Sequence, residues 1–198
     1  KRHETVIIGG GVVGASVAYH LTERGARDVV ILEAESEQGR GSTGKATGGV
    51  RAQFETDINI MMSKYSIGFF REWEFDCEYE PVGYLFFATT DGQLDYLKRN
   101  VEKQRSFGIE GVEMLDANAI AKRVPGLNCD DITGGSFGIN DGFINPLAVM
   151  RGFTHRAINN GAAIEFGTRG YSIKTENRHV TAVATDSGPI ECKNIVLC

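Results

Sequence analysis

The stretch that decides the fold is VIIGGGVVGASVAYHLTERGARDVVILEAE, residues 6–35. Val6, Ile7 and Ile8 form a short apolar run of the kind found in buried parallel strands. Gly9, Gly11 and Gly14 follow with GxGxxG spacing. In that pattern the first glycine allows the tight turn. The second lets a pyrophosphate approach the backbone, and the third lets a helix pack close to the strand. The spacing predicts a helix over 12–24 with Val13, Val17, Ala18 and Leu21 as its apolar face. Its free N-terminal amides and partial positive charge favour a phosphate. Residues 29–32 read as a second strand with Glu33 at its end and Ala34 beside it. A carboxylate there accepts ribose hydroxyls and repels a 2'-phosphate, which disfavours NADP. From these residues alone FAD and NAD both stay open.

Working outward, GRGSTGKATGGVRAQF (39–54) holds five glycines between Gly39 and Gly49. Ser42, Thr43 and Thr47 offer hydroxyls to a ligand there. Residues 57–73 read as a helix with Ile58, Met62, Tyr65, Phe69 and Trp73 on one face, expected to pack in the core. A strand over 83–89, a charged helix over 94–107, a short helix from Asp116 and a strand over 134–139 follow. Asn145 caps a helix with Pro146 at its first position. Leu147, Met150, Phe153, Ala157 and Ile158 are expected on its buried side. The last quarter reads as strands over 162–166, 170–175 and 179–186, with SGPIECKNIVL continuing the meander.

The expected class is α/β: a Rossmann-like FAD-binding domain of glutathione-reductase type with an inserted mixed α+β substrate domain. The expected division is 1–75 and 142–198 for the nucleotide domain and 76–141 for the insertion. NIVLC (194–198) reads as a central strand, so the chain is expected to be the N-terminal part of a longer protein.

The 198 residues carry a formal net charge of −5 with no basic stripe, which argues against nucleic acid. No run is apolar and long enough for a membrane helix. Four scattered cysteines without a CxxC pair, and four histidines without ligand spacing, give no metal site. They suit a reducing compartment: the cytoplasm, or the mitochondrial matrix in a eukaryote.

GGGVVGASVAYHLTERG, then Glu33, then GSTGKATGG, resembles the flavin-dependent D-amino-acid oxidase superfamily. Within it the chain looks most like sarcosine oxidase beta subunits, proline dehydrogenase beta subunits and dimethylglycine dehydrogenases. DGFINPLAVMRGFTHRAINNGAAI is similar to the segment returning from the substrate domain to the FAD domain. NIVLC resembles the strand before the family's second glycine-rich FAD contact.

The resemblance implies FAD with its pyrophosphate at Gly9, Gly11 and Gly14 and its ribose at Glu33 and Ala34. Gly41, Ser42, Thr43, Thr47 and Gly48 would line the cofactor's inner side. Arg51 matches an arginine that holds the substrate carboxylate in monomeric sarcosine oxidases; a surface arginine or salt-bridge partner is the plainer reading. Lys45 stands where dimethylglycine dehydrogenases carry a flavin-linked histidine, and residues 141–151 lack the histidine that holds a second flavin in heterotetrameric sarcosine oxidases. Neither covalent link is therefore expected, and a link through a C-terminal half stays open. Lys45 would tune the flavin electrostatically or face solvent.

The implied activity is oxidation of an amino acid's C–N bond. Oxygen or another electron acceptor, and other subunits of a hetero-oligomer, are the implied partners. Three alternatives stand beside it: a flavin dehydrogenase of 2-hydroxy acids or glycerol 3-phosphate, an NAD-binding Rossmann domain, and a non-catalytic flavoprotein assembly subunit.

Overall fold

The computed structural model describes all residues, 1–198. In chain order the first part holds β1 (Thr5–Ile8), α1 (Val12–Glu23), β2 (Val29–Leu32), α2 (Ser42–Lys45), β3 (Gly49–Val50) and α3 (Asp57–Glu72). Next come β4 (Tyr84–Ala88), α4 (Asp91–Ser106), β5 (Val112–Leu115), α5 (Ala117–Arg123), β6 (Gly134–Gly138) and β7 (Gly142–Phe143). The last part holds α6 (Pro146–Asn159), β8 (Ala163–Glu165), β9 (Gly170–Glu176), β10 (His179–Thr185), β11 (Ile190–Glu191) and β12 (Asn194–Leu197).

The chain divides into two compact units, Lys1–Thr47 with Asn145–Cys198, and Gly48–Ile144. The sequence reading opened the insertion at residue 76. The second compact unit instead begins at Gly48, because β3 pairs antiparallel with β7, Gly49 opposite Phe143 and Val50 opposite Gly142. The α3 segment thereby falls in the Gly48–Ile144 unit.

The first unit is built on a parallel sheet of order β12-β1-β2-β8. Side chains alternate across it, as a strand's period of two requires. Ile7, Val29 and Ile31 face Ala18 of α1 and Ala157 of α6. Val6, Val30 and Leu32 face Val183, Ile190 and Cys192 of the antiparallel β9–β11 meander. Both faces are covered, which is why these strands read as continuous apolar runs.

Three expectations are corrected here. Of the expected face of α1, Ala18 is buried and Val17 and Leu21 pack partly buried against the core, but Val13 is 60% exposed, and Gly14, Ala15 and Thr22 are buried as well. Ile158 on α6 is 44% exposed. The final strand does not extend the meander: β12 lies parallel to β1, with Ile195 beside Val6.

The second unit holds a three-stranded antiparallel sheet of order β4-β6-β5. Caps hold its two outer helices: the Thr90 side chain accepts from the Gln93 amide at α4, and Asp116 accepts from the Ala119 amide at α5. The aromatic stripe of α3 is not core. Ile58, Met62 and Tyr65 are exposed, while Ile60 and Ile67 are the buried residues of that helix. Periodicity shows which residues share a face, but not which face finds a partner.

Candidate functional site

The first unit carries a groove of about 610 Å³, within the range of small-molecule sites. It is built around the turn after β1. Gly9 has φ +108, a conformation costly for any other residue. A Cβ on Gly14 would stand 1.9 Å from the Gly9 carbonyl oxygen, so the third glycine is required for the helix to approach the strand. Gly11 caps α1 without a side-chain hydrogen bond, leaving helix N-terminal amides available to an anion. One amide is already used: Val12 N–H donates to the Thr43 hydroxyl at 3.0 Å.

Glu33 stands at the end of β2. Its carboxylate accepts from the Gly10 amide at 3.0 Å through one oxygen and from the Glu35 amide at 2.9 Å through the other. These bonds fix the carboxylate's orientation and leave lone pairs for further donors.

The opposite wall of the groove repeats the first turn. Gly39, Gly41 and Gly44 also have GxGxxG spacing, in GRGSTG. Gly39 has φ +89, Gly41 caps α2, and a Cβ on Gly44 would stand 1.9 Å from the Gly39 carbonyl oxygen. The Gln38 side-chain amide donates to the Gly10 carbonyl and to the Thr154 hydroxyl, tying the second turn to the first and to α6.

Of the residues the sequence assigned to a cofactor, Gly9, Gly11, Gly14, Glu33, Ala34, Gly41, Ser42 and Thr43 line this groove together, and so does Lys45. Thr47 and Gly48 do not line it. Gly10, Arg40 and Cys198 were not expected and do. A glycine-walled cleft with free helix amides and an oriented carboxylate at its rim fits the pyrophosphate and ribose of a dinucleotide.

Arg51 belongs to the second unit, directly after β3. The residues around it are fixed by a buried polar network. Asp141 is 2% exposed. It accepts from the Ala52 amide at 2.8 Å and from the Gln53 side chain at 2.9 Å. The same Gln53 amide donates to the Tyr84 carbonyl, and the Ser136 hydroxyl donates to the Gln53 oxygen at 2.7 Å. Burial pushes the Asp141 carboxyl above the ordinary aspartate range, against the opposing pull of the Ala52 and Gln53 donors and the Arg51 charge. None of Gln53, Ser136 or Asp141 announces itself in the sequence, since the partners lie more than eighty residues apart.

The Arg51 guanidinium lies 4.8 Å from the Phe54 ring centroid, 5.3 Å from that of Phe86 and 5.5 Å from that of Tyr84. Tyr84 and Phe86 are alternate residues of β4 and so share one face. Arg51 is half-buried, its Nε is buried without a hydrogen-bond partner, and it makes no ion pair. A cation held by aromatic faces with its donors unspent is suited to a planar anion.

Comparison with known proteins now decides the family. Residues 4–198 match the family described as FAD dependent oxidoreductase (DAO). The chain belongs to that family. The DAO family's cofactor is FAD, which resolves the FAD-or-NAD alternative left open by the sequence. Among relatives, FAD-dependent oxidoreductase domain-containing protein 1 of Xenopus laevis is 34% identical over 176 residues, covering 81% of this chain and 35% of its own length. Mitochondrial dimethylglycine dehydrogenase of Rattus norvegicus is 32% identical over 200 residues, 98% of this chain and 23% of the relative. The crystal structure of L-proline dehydrogenase from P. horikoshii superposes with a TM-score of 0.91 at 28% identity, covering all of this chain and 53% of that one. This DAO chain therefore spans a quarter to a half of the length of these relatives. No helix in it is long and apolar enough to cross a membrane.

Proposed function

We propose that this chain is part of an FAD-dependent oxidoreductase that oxidises the C–N bond of a secondary or tertiary amino acid of the sarcosine, dimethylglycine or proline type. Gly9, Gly11, Gly14, Glu33, Ala34, Gly41, Ser42 and Thr43 hold FAD, without a covalent link from this chain. Bound flavin supplies two-electron chemistry, accepting hydride from the carbon next to nitrogen. Helix amides after Gly11 receive the pyrophosphate, and Glu33 receives ribose hydroxyls. Lys45, on the groove wall, adds positive charge. Arg51 grips the substrate carboxylate through paired donors and thereby sets the position of the C–N unit.

The observation carrying this reading is the unpaired, aromatic-held Arg51 guanidinium. Its test uses the full-length flavoprotein and anaerobic stopped-flow reduction. Arg51→Lys keeps the charge and loses the planar fork, so kcat/KM should fall on the order of 100-fold, about 2.7 kcal/mol. Arg51→Ala should cost more for an N-methyl amino acid than for a matched amine lacking the carboxylate. Equal losses for both substrates would assign Arg51 a structural role and remove the amino-acid assignment.

A further inference from the structure

Beside Arg51 the second unit holds a cavity of about 310 Å³, at the small end of ligand sites. Arg51 and Phe54 form part of its wall, and Gln104 of α4 forms another part. Gln104 is 3% exposed. Its side-chain amide donates to the Phe54 carbonyl at 2.9 Å, which fixes which end is nitrogen and which is oxygen. Its Oε1 is buried and accepts no hydrogen bond. A buried amide oxygen without a donor carries a desolvation cost that a bound N–H would remove.

Ser136 and Glu55 add acceptors to the wall, beside Asn59, Asn100 and Thr56, whose side chains donate as well as accept. Ser136 spends its hydroxyl proton on Gln53, so toward the cavity its oxygen can only accept. Glu55 is a carboxylate at the mouth, where the Tyr96 hydroxyl donates to it at 3.0 Å. The wall therefore combines a guanidinium with unused donors, a buried amide oxygen without a donor, and further acceptors on Ser136 and Glu55.

We infer that this cavity is a subsite for a small ligand with a carboxylate at one end and an N–H donor, an amide or ammonium, at the other. Arg51 takes the carboxylate, and Gln104 Oε1 takes the N–H. The inference rests on the reading of Arg51 as a carboxylate clamp and narrows the substrate to amino acids whose substituent ends in such a donor. Gln104 is then a specificity-determining residue.

The test is isothermal titration of the full-length, FAD-loaded protein with three five-carbon acids: glutaramate, glutarate and pentanoate. None carries an amine, so none is oxidised. Each offers a carboxylate to Arg51, and only glutaramate also offers N–H. Glutaramate should bind about tenfold more tightly than the other two, the scale expected for satisfying a buried acceptor. Gln104→Met should collapse the glutaramate Kd onto that of pentanoate, and Arg51→Lys should weaken all three. Equal wild-type Kd values that still depend on Arg51 overturn the donor subsite and leave the clamp standing. Binding of all three that is indifferent to Arg51→Ala overturns both. The wild-type comparison needs no variant to fold.

Discussion

The two glycine turns that wall the groove share a spelling and differ in what they launch. Gly9 to Gly14 and Gly39 to Gly44 have the same spacing, a positive φ at the first glycine and the same 1.9 Å approach at the third. The first is preceded by a buried strand and followed by a twelve-residue helix with four buried residues. The second opens a helix of four residues, none of them buried. The middle of each turn differs too. Gly10 lies against Glu33, where a Cβ would come within 2.8 Å of the carboxylate, whereas its counterpart Arg40 pairs with Glu37 at the surface. The glycine spacing thus specifies a turn geometry, and the apolar flanks decide whether that turn becomes part of the core.

The largest effect expected from this contrast is at the third glycines. Gly14→Ala forces α1 off the sheet and should cost on the order of 3 kcal/mol or more, with loss of bound flavin. Gly44→Ala meets an identical obstacle but displaces one exposed turn, so its cost should stay near ~1 kcal/mol. Thermal unfolding and flavin content of the two full-length variants check this. Equal destabilisation would break the comparison.

Glu33→Gln comes next. It removes the charge docked on the first turn only, and charge-assisted bonds are worth about 1.5–3 kcal/mol. The FAD dissociation constant should rise about one to two orders of magnitude with little change in melting temperature of the apoprotein. An unchanged constant would place Glu33 outside the cofactor site.

The smallest effect sharpens how the turns are joined. Thr43→Val deletes the acceptor for the Val12 amide at nearly constant shape. A loss of about 1 kcal/mol in apoprotein stability is expected, as for a helix cap, and Thr43→Ser should restore it. A neutral Thr43→Val would mean that solvent replaces the hydroxyl without penalty.

Much of this architecture is legible in the sequence. Residues 29–32 are a strand as read, and Asn145 caps α6 ahead of Pro146, accepting from the amides of Leu147 and Ala148. Those signals are local. The second glycine turn is just as visible in GRGSTG, yet no apolar run precedes it to mark it as structured. The Asp141–Gln53–Ser136 network is invisible for another reason: its members meet only through strand pairing across distant parts of the chain. Gln104 reads as one polar residue of a charged helix, and only its burial distinguishes it. The α3 stripe misled because an apolar face was equated with a buried one.

The pairing of β3 with β7 has a consequence for how such a protein can be remade. Ile144 N–H donates to the Gly48 carbonyl at 2.9 Å, so the excursion between those residues leaves and returns at neighbouring points. Antiparallel partners stand only about 5 Å apart. Excising 48–144 and rejoining Thr47 to Asn145 therefore leaves a gap that one or two residues can bridge, and a foreign module whose ends are similarly clasped could be grafted at the same junction. The Gly48–Ile144 unit is thus bounded by its own fastening.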